Sequence, residues 1–138
     1  MKLMTLSQVC KKFGFSRRVI QGYEKEGLIK HSSKNKYGHL MYDDVEVKKI
    51  AYIRYLQMNK MTLKEISLCL KAGPGTFVSA SLLQRSNFEL KSEIERLNEL
   101  IKRNEMVLDI CSNDEDFKTR EDEVLRIIME AIKDEETI

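Results

Sequence analysis

Residues 83–111 carry a regularity that leaves few folds open. Leu83, Asn87, Leu90, Ile94, Leu97, Ile101, Asn104, Leu108 and Cys111 are separated alternately by four and three residues, four unbroken heptads. That spacing puts them on one seam of a long helix. Glu89, Glu93, Glu95, Arg96, Glu99, Lys102 and Arg103 cover the other faces. A lone helix cannot bury such a seam. A partner helix is required, and a second copy of the chain is the economical source. Leu83, Leu90, Ile94, Leu97, Ile101 and Leu108 are therefore the expected dimerisation residues. The two asparagines trade stability for register. The competing arrangement is a helix that folds back on its own domain.

Upstream, residues 16–42 read as a helix followed by a basic hairpin. Ser16 is suited to cap a helix, because its hydroxyl can accept from an orphan N–H of the first turn. Val19, Ile20 and Tyr23 form one apolar stripe, and Arg17, Arg18, Gln21 and Lys25 fall mostly off it. Gly27 stops the helix where a left-handed residue is usually needed. Before it, Leu6, Val9, Cys10 and Phe13 recur at helical spacing, so residues 5–13 form a shorter helix ending near Gly14. Two short helices joined by a few residues containing Gly make a helix-turn-helix. Arg and Gln at the start of the second helix can reach base edges, and nearby cations can neutralise phosphates. After Gly27, residues 28–30 and 40–42 are expected as paired strands, with Ser32, Ser33, Asn35 and Gly38 as turn formers between them. Lys30, Lys34, Lys36 and His39 make this wing basic.

The charge distribution agrees. The net charge of +2 divides into +8 over residues 1–60 and −6 over residues 61–138. A basic half joined to an acidic half suggests a polyanionic partner for the first half only.

Residues 6–70 resemble the DNA-binding domain of the MerR family of transcription regulators. Ser16, Arg18, Ile20, Tyr23, Glu24, Gly27, Leu28, Gly38, Tyr42, Ile53, Leu63, Glu65 and Ile66 stand at the places of the family pattern. Gln21 and Gly22 replace the family's Arg-Tyr, His39 and Leu40 its Tyr-Arg, and Lys60 its Gly. Gly22 costs a helix roughly 1 kcal/mol relative to Ala, unless close approach to a phosphate needs the missing side chain. The resemblance implies a homodimer with antiparallel pairing of the long helices, binding an inverted-repeat promoter operator in double-stranded DNA. It implies distortion of that DNA so that RNA polymerase can engage. It allows a small-molecule effector without identifying one. Arg17, Arg18 and Gln21 are the expected base or phosphate contacts. Ser16, Tyr23, Lys34, Lys36, Tyr37, His39 and Lys60 are the expected backbone contacts.

The remaining segments complete a mainly α fold. Asp43 caps a helix to about residue 58, with Val47, Ile50, Ile53 and Leu56 inward and Tyr52 and Tyr55 flanking. Thr62 and Glu65 form a capping box for the next helix. Gly73-Pro74-Gly75 breaks the chain. The expected domains are a winged helix-turn-helix over residues 1–72 with a short β-hairpin wing, a linker over 73–78, a long antiparallel coiled-coil dimerisation helix over 79–111, and a short segment over 112–138. That last segment holds an acidic turn and a small C-terminal helix over residues 121–133. It is too short for a separate ligand-binding domain.

Other functions find less support. Cys10, Cys69 and Cys111 are odd in number and far apart, so no disulfide framework is implied. Cys10 sits on an apolar stripe and reads as packing. Cys111 stands alone on a heptad position. His31 and His39 lack Cys or carboxylate at ligand spacing, so no metal and no cofactor is expected. There is no nucleophile–base set or phosphate-cradling loop, so an enzyme is not expected. No apolar run spans a membrane, the N-terminus lacks a signal pattern, and the expected location is the cytoplasm. The alternative of a different class is a coiled-coil interaction adaptor whose helix-turn-helix has lost DNA binding.

Overall fold

The computed structural model describes residues 2–136. Residue 1 of the expected first domain and residues 137 and 138 of the expected last segment lie outside it. The elements follow in the order β1 (Met4–Thr5), α1 (Leu6–Phe13), α2 (Arg17–Lys25), β2 (Ser33–Lys34), β3 (Leu40–Tyr42), α3 (Asp44–Met58), α4 (Leu63–Ala72), α5 (Phe77–Cys111) and α6 (Phe117–Glu136). The chain is mostly helical, with one small antiparallel sheet of order β1-β3-β2. It divides into two compact units, Met1–Asn87 and Phe88–Ile138.

In the first unit the helix ends are set by local chemistry. Thr5 and Gln8 form a capping box on α1, Ser16 Oγ accepts from the Val19 N–H on α2, and Asp43 Oδ1 accepts from the Glu46 N–H on α3. Thr62 and Glu65 cap α4 as the sequence predicts. Gly27, at φ 76°, ends α2, with the Leu28 N–H returning to the Tyr23 carbonyl and the Gly27 N–H to Glu24. Val9, Ile20, Tyr42, Ile50, Ile53, Leu56 and Cys69 are fully buried and hold the helices and sheet together. Burying one such aliphatic side chain contributes about 1.5–3 kcal/mol.

Two expectations about this unit are corrected. Residues 28–30 are not a strand. The Lys30 N–H donates to the carboxylate of Glu46, a buried side chain of α3, so it is not available to a ladder. The strand facing β3 is Ser33–Lys34, in register with Met41 and Leu40, and a further strand, Met4–Thr5, pairs on the other side of β3. The second correction concerns the boundary. The break at Gly73 is present, with α4 ending at Ala72, but the first unit continues through the opening turns of α5. Leu82 and Leu83 pack on its core, Ser86 Oγ donates to Asn59 Oδ1 at 2.8 Å, and Arg85 pairs with Glu65. Leu83, expected on the dimer seam, is thus used inside the chain.

The second unit is a helical hairpin. Arg96 of α5 pairs with Glu135, Arg103 with Glu130 and Asp134, and Arg120 donates to the Cys111 carbonyl. The pairs run in opposite directions along the two helices, so α6 lies antiparallel to α5. Ile127 is buried between them. α6 begins four residues earlier than expected, because Asp116 accepts from the Thr119 N–H and caps it. Leu90, Ile94, Leu97, Ile101 and Leu108 remain 41–67% exposed in the single chain.

Candidate nucleic-acid interface

On α2 the apolar and charged faces separate as the spacing predicts. Ile20 is fully buried, Val19 and Tyr23 pack against the core, and Arg17, Arg18 and Gln21 are exposed. Arg17 Nη2 donates to Ser7 Oγ on α1 at 2.6 Å. That contact directs one guanidinium edge toward α1 and leaves other donors available. The ring of Tyr23 meets Phe15 edge-on, with centroids 5.7 Å apart. Burial raises its phenol above the usual tyrosine range, opposed by the Arg54 charge. Ser16 spends its hydroxyl on the cap. A Cβ added at Gly22 would meet nothing within 4 Å.

The wing is a two-residue ladder closed by a side-chain-supported turn. The Asn35 N–H donates to the His39 carbonyl, and the Gly38 N–H donates to the Asn35 carbonyl. Asn35 Oδ1 accepts from the Tyr37 N–H at 2.9 Å and the His39 N–H at 3.0 Å. Gly38 sits at φ 79°, the left-handed residue that this kind of hairpin loop needs. The tip carries Lys36 Nζ 5.1 Å from the Tyr37 ring centroid, with the His39 ring centroid 6.2 Å away and tilted by 40°. Tyr37 is 70% exposed, and Lys34 projects from the exposed strand β2.

Helix and wing meet at a groove of about 190 Å³ whose lining includes Thr5, Ser7, Arg17, Gln21, Gly38 and His39. Three expected contact residues, Arg17, Gln21 and His39, are therefore brought together. Thr5 and Ser7 join them unforeseen. The only hint in the sequence was the Thr5–Gln8 capping box, which places the start of α1 here. Lys60 does not line the groove. It follows the C-cap of α3 at φ 58°, with its N–H on the Gln57 carbonyl and the Met61 N–H on the Leu56 carbonyl. This is the left-handed site where the resemblance places Gly.

Three further side chains tie wing to helix. Tyr42 donates its hydroxyl to Glu24 Oε1 at 2.8 Å, and His31 Nδ1 lies 3.2 Å from Glu24 Oε2. Burial, then the bond to Glu24, pushes the Tyr42 phenol well above its usual range. Among the described residues no group of three or more His, Cys, Asp or Glu could hold a metal.

A model of the MerR HTH family of regulatory proteins matches residues 4–73, half of the chain. The chain belongs to the MerR family. An uncharacterized HTH-type transcriptional regulator of Synechocystis is 26% identical over 65 residues, which is 47% of this chain and 47% of that protein. The chain thus matches about half the length of that relative. The crystal structure of HiNmlR, a MerR family regulator lacking the sensor domain and bound to promoter DNA, is 24% identical with a TM-score of 0.61, covering 79% of this chain and 86% of that one. A MerR family regulator from Bacillus cereus is 18% identical with a TM-score of 0.64, covering 94% and 98%. These two show that the winged helix-turn-helix and the long helix are the fold of MerR regulators. The family is one of transcription regulators, not enzymes, and membership favours the DNA-binding reading over the adaptor. No helix among the described residues is long and apolar enough to cross a membrane.

Proposed function

We propose that this MerR protein is a homodimeric transcription regulator that binds an inverted-repeat promoter operator. The observation that carries this is the single exposed face formed by Arg17, Arg18 and Gln21 on α2 beside a basic wing. In this reading α2 enters the major groove, where Arg18 and Gln21 read base edges and Arg17 reads bases or phosphate. Lys34, Lys36, Tyr37 and His39 hold the backbone beside it, and Lys60 adds a phosphate contact through the loop after α3. Ser16 and Tyr23 act by supporting α2 more than by touching DNA.

Two copies of α5 pair antiparallel through Leu90, Ile94, Leu97, Ile101 and Leu108, giving two reading heads for two half-sites. Holding both at once offsets a DNA deformation cost of about 1–6 kcal/mol. The distorted promoter is then the form that RNA polymerase engages, in the cytoplasm. Selection of bound sequences from random DNA tests the reading. The expected product is a two-fold symmetric sequence, bound with an affinity that falls steeply as salt rises. Absence of DNA affinity at low salt would leave the adaptor reading in its place.

A further inference from the structure

Glu24 presents an electrostatic problem that its contacts resolve. It lies on the helix proposed to enter a DNA groove, where a free carboxylate would repel phosphate. Its side chain is only 20% exposed and meets two groups of the wing. Tyr42, fully buried on β3, donates its hydroxyl to one oxygen. His31, on the strand-less segment leading to β2, brings Nδ1 to 3.2 Å from the other oxygen and 3.3 Å from the first. Other hydrogen bonds also position that segment. The Lys30 N–H goes to Glu46, the Ser32 N–H to the Met41 carbonyl, and Ser32 Oγ accepts from the Asp43 N–H. The ladder from β3 to β2 is two residues long and β1 holds the other side of β3, while the contacts of Glu24 join the wing to α2 itself.

We infer that Glu24 is a positioning residue that fixes the wing against the reading helix, through Tyr42 on one side and His31 on the other. Its role is to bring the phosphate contacts of the wing into register with the base contacts of α2. It rests on the DNA-binding reading and adds a mechanism to it. Neither Glu24, Tyr42 nor His31 touches DNA in this account.

The test uses the full chain on its selected operator, with Tyr42→Phe, His31→Ala and Glu24→Gln compared with wild type. Thermal melts establish that each is folded. Tyr42→Phe keeps the buried ring and removes only the donor. His31 is on the surface, so His31→Ala remains informative should Tyr42→Phe unfold. The expected result for both is a several-fold weaker operator complex. The slope of log affinity against log salt is reduced by about 1 for each phosphate that the wing no longer neutralises. Hydroxyl-radical protection disappears under the wing and persists under α2. Glu24→Gln keeps an acceptor for Tyr42 and retains most of the wing protection. Folded variants with unchanged salt slope and unchanged wing protection overturn the inference. A wild-type chain that binds no DNA would instead overturn the function proposed above.

Discussion

The hydroxyl oxygens of Tyr52 on α3 and Ser79 in the first turn of α5 lie 2.7 Å apart. Ser79 directs its own hydrogen to the Gly73 carbonyl at 2.9 Å, so Tyr52 is the donor. Burial raises the Tyr52 phenol above its usual range, which keeps that donor protonated. Tyr52→Phe and Ser79→Ala should each destabilise the protein by about 1–2 kcal/mol. The double variant should cost less than the sum of the two. Urea unfolding of the four proteins measures the coupling, and simple additivity would show that the bond contributes nothing.

Base reading and phosphate contact should separate by mutation. Arg18→Ala and Gln21→Ala should each cost about 1–3 kcal/mol on the selected operator and relax preference at one position per half-site. Lys34→Ala and Lys36→Ala should weaken all sequences alike and lower the salt slope by about 1. Titrations on operator and scrambled duplex distinguish the two patterns.

Lys60 occupies a left-handed conformation that a non-glycine residue adopts at a cost of about 1 kcal/mol. Lys60→Gly should therefore raise stability by roughly that amount while lowering DNA affinity through removal of one cation. A shifted urea midpoint with an opposite shift in binding is the expected pair of results. A destabilised Lys60→Gly would show that the lysine side chain contributes more to the fold than its backbone costs.

Acid should act through the helix caps. The Glu46 backbone N–H, then the Ser32 hydroxyl, hold the Asp43 carboxyl below its usual value, and backbone N–H groups of the next helix do the same for Asp116. A carboxyl whose folded value is depressed contributes stability above its unfolded value, about 4. That contribution is lost as pH falls through the lower folded value. Asp43→Asn keeps the capping oxygen and removes the titration, so its urea midpoint should fall less steeply than wild type below about pH 4. Parallel curves would remove Asp43 from the acid response.

The seam gives a direct oligomer test. Leu97→Arg places a charge among exposed apolar residues of α5. Sedimentation should show a dimer for wild type and a monomer for this variant. Operator affinity should drop by about 100-fold or more once the second head is gone. A dimeric Leu97→Arg would move the interface elsewhere.

Much of this fold was readable where local chemistry decides it. Ser16, Asp43 and Thr62 announce their helices, and Gly27 and Gly73 end two of them, because capping acts over three or four residues. The misplaced strand shows where locality fails. Residues 28–30 look like a strand by composition, but a carboxylate sixteen residues on, Glu46, takes the Lys30 N–H. Leu83 fits the heptad spacing as well as Leu90 does. Only three-dimensional packing distinguishes a seam position from one used by the core. At the interface the exposed cations were legible from periodicity. The Glu24 anchor was not, since nothing along the chain links residues 24, 31 and 42.

Gly22 remains the odd choice on α2. The fold leaves open space where a methyl group would go, so an alanine there would stiffen the helix at no internal cost. The chain forgoes that gain at the position between Gln21 and Tyr23. Where α2 enters a DNA groove as proposed above, that surface vacancy would serve as clearance for the duplex. In a complex with DNA, the distance of closest approach between this helix and the duplex would be set by a hydrogen atom.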